Sequence, residues 1–245
     1  MLLELRDVQK SFKSMKVIRG LDLQVAKGEL VGIIGPNGAG KTTAFGLISG
    51  ASSCDSGVVS FNGIDITRAT ADRRCRLGIG RTFQIPQPFA SLSVLENVLV
   101  GATFGACLPA PGTMAAAMHA VRTCGLAALA DTQASALTLL QRKRLELARA
   151  IATDPELLLL DEVGGGLTDS EMQELLGLIV ELHRCGVTIL WIEHVVHALV
   201  SVAKRLVVLA DGAILADGSP SEVISSALVR QTYLGDELAM EAEVT

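Results

Sequence analysis

"LVGIIGPNGAGKTT", Leu30 to Thr43, is the stretch whose reading decides the fold. Its first five residues, Leu30–Ile34, are almost wholly aliphatic, as a strand buried on both faces requires. The run then breaks into Gly35, Pro36, Asn37, Gly38, Ala39, Gly40, Lys41 and Thr42, which match G-x-x-x-x-G-K-[ST], and Lys41–Ser49 reads as a helix. A strand that feeds such a loop and a helix that leaves it form a phosphate cradle. Glycines let the backbone curl so that successive N–H groups point at an anion, and the helix adds its positive end. Lys41 can reach the outer phosphates, and the Thr42 hydroxyl can ligate Mg2+.

Outward from this loop, β-like runs occur at Leu2–Val8, Val17–Val25 and Val58–Phe61, the last followed by the turn pair Asn62–Gly63. Leu77–Phe83 reads as another strand. From about Ser91 to Thr153 the texture shifts to Ala, Leu and helix formers, punctuated by Pro and Gly at 109–112, and predicts an all-helical insert. Strands follow at Leu157–Leu160, Val187–Ile192 and Arg205–Ala210. A helix at Ser170–Arg184 puts Met172, Leu175, Leu176, Ile179 and Leu182 on one face, a short helix follows His194, and Asp-Gly turns are expected at 211–212 and 217–218. Apolar strands alternating with helices imply an α/β fold around a buried, mostly parallel sheet.

The bulk numbers narrow the function classes. The chain has 245 residues, which fits one large domain or two small ones. Net charge is −5, and the densest basic stretch, Arg142–Arg144, reads as a solvated helix face, so no nucleic-acid partner is expected. Cys54, Cys75, Cys107, Cys124 and Cys185 are dispersed, as free thiols in a reducing compartment would be. The N-terminal "MLLELRDVQK" mixes acids and bases and is unlike a signal peptide. Mean hydropathy is high at +0.44. Yet the longest uncharged stretch, Asn97–Val121, is interrupted by Gly101, Gly105, Pro109, Pro111 and Gly112, which argues against a bilayer span and for a large partner surface.

A second motif sits at "LLLLDE", Leu157–Glu162. Two adjacent carboxylates ending an apolar strand are costly unless metal or water meets them. Asp161 suits Mg2+ through water, and Glu162 suits polarising an attacking water. With "RTFQ" ending in Gln84, "LTLLQ" at Leu137–Gln141, "GGLTDSE" at Gly165–Glu171 and "WIEH" ending in His194, the chain resembles the ATP-binding-cassette (ABC) ATPases from Phe12 to about Gly235. More narrowly, "GIGRTFQ", "SVLENVLVGA", "LELARAIATDPELLLLDE" and "TYLG" are similar to the ATPase subunits of branched-chain amino acid importers.

The resemblance implies a P-loop NTPase in one domain, 1–245. A RecA-like core with a mostly parallel sheet and an N-terminal antiparallel β subdomain would occupy 1–88 and 154–235, a helical subdomain 89–153, and a frayed polar tail 236–245. ATP and Mg2+ are the implied cofactors. Phe12 would stack on adenine, and Gly35, Pro36, Asn37, Gly38, Ala39, Gly40, Lys41, Thr42 and Thr43 would hold the phosphates. Thr42, Gln84 and Asp161 would serve the metal, and Glu162, His194 and Gln84 the hydrolysis. Leu137, Thr138, Leu139, Leu140 and Gln141 would face the nucleotide of an opposite subunit. Implied partners are a second ATPase subunit, in a homo- or heterodimer, polytopic membrane permease subunits and, indirectly, an extracytoplasmic solute-binding protein. The implied place is the cytoplasmic face of the plasma membrane.

Three positions depart from the family pattern. Leu140 stands where the motif has its last glycine, where a side chain blocks close approach and resists a positive φ. Val163 replaces a proline, and Val195 an aspartate that would support His194. A dimer with unequal sites is one consequence. A regulatory subunit with impaired hydrolysis and a soluble ABC ATPase outside transport are the competing readings.

Overall fold

The structure is a computed structural model that describes residues 1–106 and 110–234. The expected frayed tail, Gly235, Cys107 and Pro109 lie outside the described residues. In chain order, β1 (Leu3–Phe12), β2 (Met15–Val25) and β3 (Leu30–Ile34) precede α1 (Lys41–Ser49). Next come β4 (Ser56–Phe61), β5 (Ile64–Asp65), α2 (Ala71–Arg76) and β6 (Ile79–Arg81). The helical stretch holds α3 (Val94–Phe104), α4 (Ala110–Thr123) and α5 (Leu139–Ile151). β7 (Leu157–Asp161), α6 (Asp169–Arg184), β8 (Thr188–Ile192), α7 (Val196–Val200), β9 (Arg205–Ala210), β10 (Ala213–Gly218) and α8 (Pro220–Ser225) follow, with short helical turns up to Leu234.

β3, β7 and β8 are buried at every position, as unbroken apolar runs demand. They are central in a sheet ordered β10-β9-β3-β8-β7-β6, parallel throughout except for the antiparallel β9–β10 edge. Alternate side chains serve its two faces. Leu158, Leu160, Ile189 and Trp191 pack toward the helical insert and α6, whereas Leu157, Leu159, Leu190 and Ile192 join the cluster shared with α1 and the N-terminal strands. Those strands form a separate antiparallel sheet, β2-β1-β4-β5.

Asn62 and Gly63 adopt φ 50° and 75° between paired Phe61 and Ile64, so the expected turn closes the β4–β5 hairpin. Asp211 and Gly212, at φ 48° and 79°, do the same between β9 and β10. The turn expected at 217–218 is corrected: both residues lie in β10, paired with Val207 and Leu206. Asp217 is held there by a bidentate ion pair with Arg205, 2.7 Å at each oxygen, and the ladder overrides the turn propensity of Asp-Gly. Among the described residues from Ser91 to Thr153 there are helices, as expected, and one antiparallel bridge, between Ser93 and Gln133.

α2 and α8 are short helices beyond those the sequence pattern predicts. α2 carries Arg74, which is 2% exposed. Its guanidinium donates to the carbonyls of Leu47 and Ile48 at the end of α1 and to those of Thr67 and Ala69. It thereby satisfies the last carbonyls of the helix that begins at the glycine loop.

Candidate functional site

β3 and β7 run parallel with β8 between them, so both motifs emerge at the carboxyl ends of strands, where open α/β sheets bind ligands. The loop after β3 lies hard against β9: a Cβ on Gly35, at φ 150°, would stand 2.0 Å from the Leu209 carbonyl oxygen. Gly40, at φ 98°, is the N-cap of α1, and no side chain caps that helix. By contrast, α3, α5, α6 and α8 each begin with a reciprocal capping box. The first-turn amides of α1 are thus left for an acceptor from outside the helix, which suits a phosphate. Lys41 is 6% exposed, and its ammonium donates to Gly35 O at 2.6 Å and Pro36 O at 3.1 Å. Burial lowers its pKa, while the carboxylates of Glu162 and Asp161 favour its charge.

A cavity of about 290 Å³ opens over this loop, lined by Met15, Val17, the residues from Asn37 to Thr43 and Glu162. Phe12 stands outside that lining. It pairs with Met15 at the end of the β1–β2 ladder, is 49% exposed, and has the Lys10 ammonium 5.3 Å from its ring centroid.

Three of the sequence candidates converge at the carboxylate side. Glu162 takes a left-handed backbone, φ 48°. Its carboxylate lies 2.8 Å from His194 Nε2 and accepts from the side-chain amide of Gln84. Its backbone N–H donates to Ile192 O at 2.9 Å, which ties the turn to β8. Asp161 is 3% exposed, and its Oδ2 accepts from Arg81 Nη2 at 2.8 Å. Burial raises its carboxyl above the usual range, with Arg81 opposing. Among the described residues no group of three or more His, Cys, Asp or Glu could hold a metal by itself. A hydroxyl at Thr42, a carboxylate at Asp161 and an amide at Gln84 are nevertheless the oxygen donors that Mg2+ takes when phosphates and water complete its shell.

The motif at Leu137–Gln141 is not brought to this cavity. Thr138 is the N-cap of α5: its N–H donates to Gln141 Oε1 at 2.9 Å, and its Oγ1 accepts from Gln141 N at 3.4 Å. The expected conflict between Leu140 and a positive φ is corrected. Leu139 and Leu140 open α5, and neither is among the positive-φ residues, so the helix takes both without backbone strain. What remains is bulk. Leu139 is 43% exposed, and Leu140 packs partly buried against the core. Val163 is 5% exposed within that core, and His194 draws its support from Glu162 rather than from position 195.

The solvated face expected at Arg142–Arg144 is also corrected, since Lys143 is 4% exposed. Its ammonium donates to Gln84 O at 3.0 Å and Glu162 O at 3.4 Å. Glu193, 2% exposed, accepts from Trp191 Nε1 at 3.2 Å and Gly164 N at 3.4 Å. Arg81, the first residue of "RTFQ", is a third inward-turned charge, with a side chain 12% exposed. A charge inside an amphipathic or apolar run is the one signal that could have flagged these three, and it does not say which charges turn inward.

The model of the "ABC transporter" family matches residues 18–164. Relatives include the lipopolysaccharide export system ATP-binding protein LptB of Acidithiobacillus ferridurans, 36% identical over 96% of this chain and 98% of its own. The high-affinity branched-chain amino acid transport ATP-binding protein BraF of Pseudomonas aeruginosa is 34% identical over the same shares, 96% and 98%. Among solved structures, a nucleotide-free ATP-binding cassette from an ABC transporter superposes with a TM-score of 0.87 at 30% identity, covering 96% of this chain and 99% of that one. Among the described residues no helix is long and apolar enough to cross a membrane.

Proposed function

We propose a function from one premise: the chain belongs to the ABC transporter ATPases, which bind and hydrolyse ATP. As the ATP-binding subunit of such a transporter, it powers uptake of branched-chain amino acids or a related small solute through separate membrane permease subunits. The observation that carries the hydrolytic part is the meeting of Gln84 and His194 on Glu162, which lines the cavity above the glycine loop. ATP places its phosphates in the Gly35–Thr43 cradle, with adenine toward Phe12, Met15 and Val17. Thr42, Asp161 and Gln84 would hold Mg2+, which would supply neutralisation of the phosphate charge. Glu162 orients and polarises the attacking water, and His194 holds Glu162 and the terminal phosphate. A second ATPase subunit covers the phosphates through its counterpart of Leu137–Gln141, and the dimer sits on permease subunits at the cytoplasmic membrane face, fed by an extracytoplasmic solute-binding protein.

Glu162→Gln should keep ATP affinity within about twofold and lower turnover by about 100- to 10,000-fold, the range that a general base commands. Lys41→Ala should abolish Mg2+-dependent ATP binding. Normal turnover in the first variant, or unchanged binding in the second, defeats the hydrolytic assignment. The solute is read by deleting the gene and measuring uptake of labelled leucine, isoleucine and valine. The similarity to LptB supports a second reading, export of a lipopolysaccharide. Unchanged uptake with less lipopolysaccharide at the cell surface would favour it.

A further inference from the structure

Lys143 is the fifth residue of α5, the helix whose first turn carries the Leu137–Gln141 motif. Its side chain leaves the helix surface for the interior and is 4% exposed. There its ammonium bridges two chain segments far apart in sequence, donating to Gln84 O at 3.0 Å and to Glu162 O at 3.4 Å. The side chains of these two residues also meet, amide to carboxylate. Lys143 therefore closes a ring: the two backbones are joined through its ammonium, and the two side chains are joined directly.

That ring stands where the backbone needs support. Glu162 is held at φ 48°, a conformation that costs a non-glycine residue about 1 kcal/mol or more. Two residues on, Gly164 has no room for a side chain, because a Cβ would stand 1.9 Å from Met172 Cε and 2.7 Å from Glu193 Oε1. Its N–H is aimed at Glu193, the buried carboxylate of this corner. A methionine would fill the space of Lys143 without desolvating a charge, so packing alone does not account for the ammonium.

We propose that Lys143 is a positioning residue for hydrolysis: its ammonium fixes the carbonyls of Gln84 and Glu162 so that their side chains face the nucleotide as a pair, and it ties that pair rigidly to α5. The proposal deepens the ATPase reading above and rests on it. It gives the first turn of α5 a physical connection to the water-polarising carboxylate of the same chain.

The test compares wild type with Lys143→Met, Lys143→Gln and Lys143→Arg in the full chain. Turnover should fall about 10- to 100-fold in the Met variant, the scale of an ångström-sized misplacement. Its KM and ATP affinity should stay within about twofold, and Arg, which keeps charged donors, should recover most of the loss. Equal turnover in Met and wild type, a matching loss in Met and Arg, or a fall in ATP affinity as large as the fall in turnover overturns the proposal. Hydrogen exchange in the nucleotide-free protein provides a second readout. The amides of Glu162, Gly164 and Gly165 should exchange at least about tenfold faster in the Met and Gln variants and near the wild-type rate in Arg. Unchanged exchange in both overturns the proposal even if the wild-type chain proves inactive. Loss of ATP binding by the wild type itself counts against the ATPase reading instead.

Discussion

At the residue scale, the charges that matter most are those the fold keeps from water. Burial pushes the carboxyl of Glu193 from an ordinary 4.5 up to about 7, against hydrogen bonds from Gly164 and Trp191 and the cation of Lys143, while Glu162 pushes it further up. Glu162 and Lys143 are the charged groups facing it. The folded value lies above the unfolded one, so the folded state favours the protonated acid. This contribution is fully present below about 4.5 and is lost as pH rises through about 7. Glu193→Gln, which mimics the neutral acid, should therefore gain stability over wild type by about 1–3 kcal/mol between pH 5 and pH 8. Parallel urea midpoints for the two proteins across that range would refute this. The molecule has one tryptophan, Trp191, whose indole donates to this carboxylate, so its fluorescence should titrate near neutrality in the native protein and not in the Gln variant.

At the element scale, α1 is fixed at both ends by different means. Its start is uncapped and bounded by Gly40, whereas its end is clamped by Arg74. Arg74→Met would leave the buried carbonyls of Leu47 and Ile48, and the part-buried ones of Thr67 and Ala69, without that donor. At about 1–3 kcal/mol for an unsatisfied buried group, and with partial rescue by water, the loss should exceed about 2 kcal/mol in urea unfolding. A change under about 0.5 kcal/mol would mean that the clamp is dispensable. The strand, loop and helix from Leu30 to Ser49 were legible because a buried strand, a glycine run and a helix leave separate imprints. The one-faced α6 was legible through Met172, Leu175, Leu176, Ile179 and Leu182. α2, β10 and the inward turn of Lys143 were not. α2 is short and strongly basic, β10 is stabilised by a partner strand and by Arg205, and an ammonium on an amphipathic helix looks solvated until the neighbouring backbone is placed. The convergence of Gln84, Glu162 and His194 was read from family resemblance. No spacing in one sequence puts residues 78 and 32 positions apart on a single carboxylate.

At the scale of the whole molecule, the phosphate loop and the Leu137–Gln141 motif do not meet within one chain, so a motif that acts on nucleotide has to act on another chain's. In the dimer proposed above, this chain brings an intact cradle to its own ATP and a leucine-filled motif to its partner's. Leu139 and Leu140 sit unstrained at the head of α5, so what they cost is close approach to a phosphate, and not stability. Leu140→Gly should cost about 1–3 kcal/mol of stability, from helix propensity in the first turn and from the packing its partly buried side chain gives up. It should restore a backbone donor of the kind whose loss lowers rate by about 100- to 1000-fold. Turnover of a dimer that depends on this motif should thus rise by about tenfold or more even though the melting temperature drops. Pairing the chain with its partner ATPase and disabling the two water-polarising glutamates one at a time locates the effect. The dimer that keeps only this chain's Glu162 should stay fast, and the dimer that keeps only the partner's should be slow until Leu140→Gly is introduced. Equal rates in both half-disabled dimers would mean that the leucines do not make the sites unequal.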